Sequence, residues 1–145
     1  MSAEDVVSDL FFNLAAGDMD KVAAALTDDF VQEVGSQRNG KREFLGTMGG
    51  LMNALSQRSF NLYNVETQGN QVKVTVKLNG EHTSTLNLPI PGVAPVPPSG
   101  VTLDIPDSDF VFTFNGDKIS HLVIDSQPGG GVPDMVRSMG GMWPA

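Results

Sequence analysis

Up to residue 56 the hydrophobic positions recur with a helical period, and beyond residue 58 with a strand period. Val7, Leu10, Phe11 and Leu14 make one apolar stripe and predict a helix over residues 3–16, with Ser2 as N-cap and Gly17 as stop. Asp18 then caps a short second helix that turns Met19, Val22, Ala23 and Leu26 inward. "TDDFVQEVG" (27–35) reads as a turn into a short strand anchored by Phe30. Residues 41–56 carry Phe44, Leu45, Met48, Leu51, Met52 and Leu55 at helical spacing and predict a third helix. "RSFNLYNVETQ" then alternates. Gly69-Asn70 supplies a turn, and Val72, Val74, Val76 and Leu78 alternate with Lys73, Thr75 and Lys77. Residues 101–115 predict another long strand, with Phe110, Phe112 and Phe114 on one face; "NGDK" (115–118) turns into the strand "ISHLVIDS", and "VPDMVRSMGG" predicts a short final helix.

Asn79-Gly80 has the chemistry of a hairpin turn, but the faces disagree. A two-residue hairpin there sets Val76 against Thr83, Val74 against Thr85 and Val72 against Asn87. If the strand instead continues over 71–88, one face reads Val, Val, Val, Leu, Gly, His82, Ser84, Leu, Leu, and the other is uniformly polar. The second pattern is the cleaner one and predicts one long strand, bent or bulged at Gly80. Such a strand spans about 60 Å at ~3.3 Å per residue, so it must curl, and a curled sheet capped by helices encloses a cavity. The order of elements predicts an α+β fold in one domain, 1–145, with helices on one face of a bent, mostly antiparallel sheet. "LPIPGVAPVPPSG" is a stiff, proline-rich loop.

Charge and composition narrow the function. The net charge of −8 argues against nucleic acid, because the only tight basic group is Arg38, Lys41 and Arg42. No apolar run approaches the ~20 residues of a membrane helix. The acidic start "MSAEDVVSDLFF" lacks the basic region of a signal peptide, so a cytoplasmic protein is expected. The absence of cysteine excludes thiolate chemistry, and two histidines 39 residues apart offer no metal-ligand spacing, so neither metal nor cofactor is expected.

Several segments, in order, carry a resemblance: "LAAGDMDKVAAALTDDFV" (14–31), "GKREFLG" (40–46), "GEHTS" (80–84), "PPSG" (97–100), "NGDKI" (115–119), and Asp125 ahead of a short helix ending "RSMGG". Together they resemble the SnoaL-like polyketide cyclases of the nuclear transport factor 2-like superfamily. The family's G-x-H-x-G stands here with Ser84 in place of its last glycine, and its P-P-T-G is "PPSG" with the extra residues "PIPGVAP" before it. The tryptophan that precedes the family's aspartate is missing from "ISHLVID", and the closing Gln-Leu-Gly stands as Ser138-Met139-Gly140.

The resemblance implies a cone of three helices on a bent sheet, a pocket for a small apolar molecule, and cofactor-free proton transfer on an oxygenated, polyketide-like substrate; a homodimer is expected separately, with the 101–114 strand pairing sheets across it. It implies Asp125 as general acid/base, since a carboxylate in an apolar pocket has a raised pKa and can take a proton beside a carbonyl. Capping of "SQPGGG" is the structural alternative for Asp125. His82 would hold or protonate a substrate oxygen, or serve as a satisfied inner-face histidine. His121 shares the parity of Asp125 but lies about 13 Å from it along the strand, and so lines the cavity mouth or is exposed. Ser84, Phe11, Phe30, Phe44 and Met48 complete the expected lining. Two alternatives stand beside this one: a non-catalytic binding module with the same pocket, and a ketosteroid-isomerase-like enzyme using Glu33 as base, whose tyrosine partner is absent from the first helix.

Overall fold

The computed structural model describes residues 2–144. Its elements are α1 (Ala3–Ala16), α2 (Met19–Ala24), β1 (Leu26–Val34), β2 (Gln37–Gly40), α3 (Lys41–Ala54), β3 (Leu55–Gln68), β4 (Gln71–His82), β5 (Ser108–Asn115), β6 (Lys118–Ser126) and α4 (Val132–Ser138). The strands form a six-stranded curved sheet in the order β2-β1-β6-β5-β4-β3, antiparallel except for the parallel pair β1 and β6. The sheet does not close. Helices cover its concave face, giving the α+β cone expected from the sequence.

Local chemistry sets the ends of α1. Ser2 Oγ accepts from the Asp5 N–H and the Asp5 carboxylate accepts from the Ser2 N–H, a reciprocal cap. The bond from the Ser2 N–H, and after it the Ser2 hydroxyl, hold the Asp5 carboxyl below its ordinary value. Gly17, at φ +76°, closes the helix in the left-handed conformation.

The interior has two apolar clusters. In the first, Phe11 of α1 sits 5.1 Å from Phe60, 5.6 Å from Phe110 and 5.9 Å from Phe112 by ring centroids, and Phe30 packs 5.1 Å from Phe44. Val72, Val74 and Phe112 complete it, with no exposure at all. The second joins Leu51, Met52 and Leu55 to Leu86, Leu88, Val96, Leu103, Ile105, Val136 and Met139. Met48 and Phe60 pack against both.

The chain does run through Asn79-Gly80 as a strand, and no hairpin forms there. The extra residue that bends the sheet lies on the neighbour. Opposite Gly80, the β3 register slips between Ser56 and Ser59, where Gln57 takes φ +50°. Gly80 serves a different need, because a Cβ there would stand 3.2 Å from Leu55 side-chain atoms.

The strand expected to reach residue 88 stops at His82. The Thr83 and Ser84 N–H groups both donate to the Ala54 carbonyl, at 3.1 and 3.2 Å, which turns the chain across the end of α3. Leu86 and Leu88 are still buried, but against α3 and Val96 rather than in the sheet. Gly50 permits this crossing: a Cβ there would meet the Asn87 carbonyl oxygen at 2.5 Å.

The expected strand 101–115 is likewise interrupted. Thr102 bridges Glu81, and regular pairing resumes only at Ser108 opposite Val76. The intervening run carries one residue more than β4 does, and it contains Pro106, which has no N–H for the ladder.

Arg58, placed by the β3 irregularity, donates to the carbonyls of Ala15 (2.5 Å), Met52 (2.8 Å) and Leu55 (3.0 Å). These carbonyls lie at the ends of α1 and α3, where the Met52 carbonyl also accepts from the Leu55 N–H. Replacing Arg58 with Met, which keeps much of the stem, should lower unfolding free energy by about 3 kcal/mol, as charge-assisted bonds to carbonyls are lost. Urea denaturation reads this directly, and a loss below about 1 kcal/mol would show that the three bonds are incidental.

Candidate functional site

Side-chain alternation sorts the candidates onto two faces. On β6 the concave face carries Ile119, Leu122, Ile124 and Ser126, and the convex face carries His121, Val123 and Asp125. A bulge at Ser120, where Thr113 pairs His121 and Phe114 pairs Ile119, sets this phase. Asp125 is therefore exposed and paired across from Asp109 on the convex face, outside the cone. It borders an open cleft of ≈ 720 Å³ with Asn64, Glu66, Lys73 and Asp107. In that cleft region a hydrogen bond with Asp107, more than burial, raises the Tyr63 hydroxyl above its ordinary pKa.

His121 and Glu33, read separately from the sequence, meet on this convex face. His121 Nε2 lies 2.9 Å from Glu33 Oε2, and Arg38 lies 3.3 Å from Glu33 Oε1. The side chain that β1 turns inward at this point is Gln32, an amide and not a base. The isomerase-like arrangement thus has no carboxylate from β1 inside the cone.

His82 is inward and fully buried. Its Nδ1 lies 2.8 Å from Ser99 Oγ and accepts from the Ser99 N–H at 3.3 Å, so the ring proton sits on Nε2. Backbone bonds reinforce the contact: His82 N–H to the Val101 carbonyl and Gly100 N–H to the His82 carbonyl, both 2.8 Å. "GEHTS" and "PPSG" are thus two halves of one clasp. Nε2 is buried without a partner among the described residues, and His82 borders neither cavity described below. Ser84, expected on the inner face, is exposed because the chain has already left the sheet.

Two spaces remain on the concave side. A small cavity of ≈ 60 Å³ is walled by Met48, Leu51, Met52, Phe60, Leu78 and Phe110, with the Ser108 hydroxyl as its polar group. Ser108 Oγ lies 3.2 Å from Ser126 Oγ across the β5–β6 pair. A groove of ≈ 410 Å³ lies between α3, the β1–β2 end of the sheet, Pro89–Pro91 and the start of α4. Gln32, Asn39, Glu43, Thr47, Ile90 and Trp143 border it, and Met48 borders both spaces.

Of the lining expected from the sequence, only Met48 borders either space. Phe11, Phe30 and Phe44 are core side chains, at 1 to 3% exposure. Gln32 and Ser108 were not singled out, although both are visible in alternation: Gln32 shares a face with Phe30, and Ser108 with Phe110, Phe112 and Phe114. No group of three or more His, Cys, Asp or Glu side chains among the described residues could hold a metal ion. Among the described residues no helix is long and apolar enough to cross a membrane.

A family model described as "SnoaL-like domain" matches residues 7–122. No curated protein matches the sequence. Among solved structures, a candidate SnoaL-like polyketide cyclase from Jannaschia sp. CCS1 is similar at 22% identity, covering 84% of this chain and 83% of that one, with a TM-score of 0.66. AclR, a candidate hydroxylase from Streptomyces galilaeus, aligns at 11% identity over 95% of each chain, with a TM-score of 0.74. A de novo designed protein with a curved β-sheet aligns at 17% identity over 96% of this chain and 97% of its own, with a TM-score of 0.62. At these identities the likeness is one of fold.

If His82 and Ser99 act as a structural clasp, His82→Ala and Ser99→Ala should each destabilise the protein, Ser99→Ala by about 1 kcal/mol. The double variant should lose less than the sum of the two, because each change removes the same bond. Strict additivity in thermal or urea unfolding would refute the clasp.

Proposed function

The chain belongs to the SnoaL-like domain family, and from that premise we propose that it binds a small, largely apolar, oxygen-bearing molecule in the groove between α3, the β1–β2 end of the sheet and the Pro89–Pro91 wall. The groove itself carries the reading. Its ≈ 410 Å³ falls in the range of ligand sites, about 300–1,000 Å³, whereas the inner cavity of ≈ 60 Å³ holds no more than a ligand's tip. Apolar walls from Ile90, Pro91, Pro133 and Trp143 face a polar end made by Gln32, Asn39 and Thr47.

The exposed position of Asp125 and the hydrogen-bonded position of His82 favour binding over proton transfer by those two residues. A catalytic version of the same site has one carboxylate at its border, Glu43. Glu43 is exposed, so it stands in contact with solvent at the rim.

Trp143 is the sole tryptophan and borders the groove, which makes its fluorescence a reporter. A tricyclic aromatic ketone titrated into the protein should change that fluorescence saturably. Asp125→Asn should leave the affinity unchanged, and Thr47→Trp, read by calorimetry, should weaken it by at least about tenfold by filling the groove. Loss of binding in Asp125→Asn, with Thr47→Trp unaffected, would return the site to the convex face.

The homodimer is proposed on the convex face. One row of paired positions crosses all six strands there: Arg38, Glu33, Val123, Val111, Lys73 and Glu66. Its centre is apolar and its ends carry opposite charges side by side, a pattern that a two-fold copy can match. Light scattering should give a dimer at micromolar concentration and a folded monomer for Val111→Arg. A wild-type monomer under those conditions would remove the proposal.

A further inference from the structure

We propose that Gln32 is the specificity-determining residue of the groove, and that its side-chain amide selects ligands bearing a carbonyl-type oxygen on a flat apolar skeleton. This rests on the groove being the ligand site. The evidence is the state of the amide. Gln32 is only 6% exposed, one of three buried polar or charged residues among those described. Its Oε1 accepts from Asn39 Nδ2 at 3.2 Å across the β1–β2 pair, which fixes the orientation of the amide. That leaves Nε2 as a donor pair with no hydrogen-bond partner among the described residues, in a side chain that borders the groove.

The Gln32 Nε2 atom is not itself buried, so water in the groove satisfies its N–H donors in the free protein, and a ligand oxygen that accepts can take that water's place. The fitting group is an oxygen that accepts without needing to donate: a ketone, a quinone or an ester carbonyl. The remainder of the wall sets the skeleton. Pro89, Pro91 and Pro133 present flat, rigid surfaces without side-chain donors, and Trp143 offers a ring face, so the groove takes a planar ring system between them. Arg38 and Glu43 both lie on this border, so its charges balance and select neither sign of ligand.

Fluorenone and fluorene share one skeleton and differ by a carbonyl. Their affinities for the full chain, read through Trp143 fluorescence against free tryptophan, should differ by about 3- to 10-fold in favour of fluorenone, the worth of one hydrogen bond. Gln32→Leu should abolish that preference while leaving fluorene binding within about twofold of wild type. Gln32→Glu is the second variant, because it keeps an acceptor for Asn39 while it replaces the donors with a negative oxygen; it too should lose the preference, and circular dichroism checks that it folds. If both molecules bind wild type equally, or if the fluorenone preference survives in folded Gln32→Glu, the assignment of Gln32 is overturned while the groove stands. If neither molecule binds, the groove reading falls and the assignment falls with it.

Discussion

The bonds from Arg58 tie together parts of the molecule that the sequence keeps far apart. Two helices end against the start of β3, and each end presents carbonyls with room for a further donor. One guanidinium collects the Ala15, Met52 and Leu55 carbonyls, and a planar group with several donors is suited to that task. The side chain reaches them because β3 carries one residue too many opposite Gly80. The same irregularity bends the sheet, so curvature and helix docking share one cause. The groove follows from both. It exists because α3 is held over the β1–β2 end of the sheet while the chain after His82 is sent across that helix.

That crossing explains why periodicity was a good guide to burial and a poor guide to partners. A period of two reports that one side of an extended segment is dry. Over 71–82 the dry side faces the concave interior, and the parity argument against a hairpin holds. Over 83–88 it continues without a break, since Leu86 and Leu88 are buried, yet what covers them is α3 and Val96. Alternation carries no information about whether backbone N–H groups find a strand or a helix end. The cue was local and small: Gly46 and Gly50 leave one side of α3 bare, and that is where Pro89 and Asn87 come closest.

Asp125 and His121 went to the convex face for a different physical reason. In "ISHLVID" apolar residues occupy both parities, Ile119 and Val123 on one and Leu122 and Ile124 on the other. Only the bulge at Ser120 decides which set is inward, and a single inserted residue reverses every assignment beyond it. Glu33 met the same fate more legibly, because Phe30 and Gln32 already define the inner phase of β1. The helices, the order of strands and the cone were readable because many residues vote for each. A catalytic assignment rested on the phase of one residue, which one bulge can change.

The motif residues and the groove residues therefore divide the work. His82 and Ser99 border neither space, but their clasp fixes the two ends of the excursion from Thr83 to Pro98, and the middle of that excursion supplies the Pro89–Pro91 wall. A change in the clasp would move the wall without touching a ligand. A change at Gln32 or Thr47 would alter the groove's lining without moving the wall. A designed protein shares the curved-sheet shape, so the shape is attainable without any inherited activity. What distinguishes this chain is therefore to be sought in the few polar side chains that the curved sheet turns inward. On β1, which borders the groove, that side chain is an amide where proton-transfer chemistry would need a carboxylate, and this is why the function proposed is recognition of an oxygen and not removal of a proton.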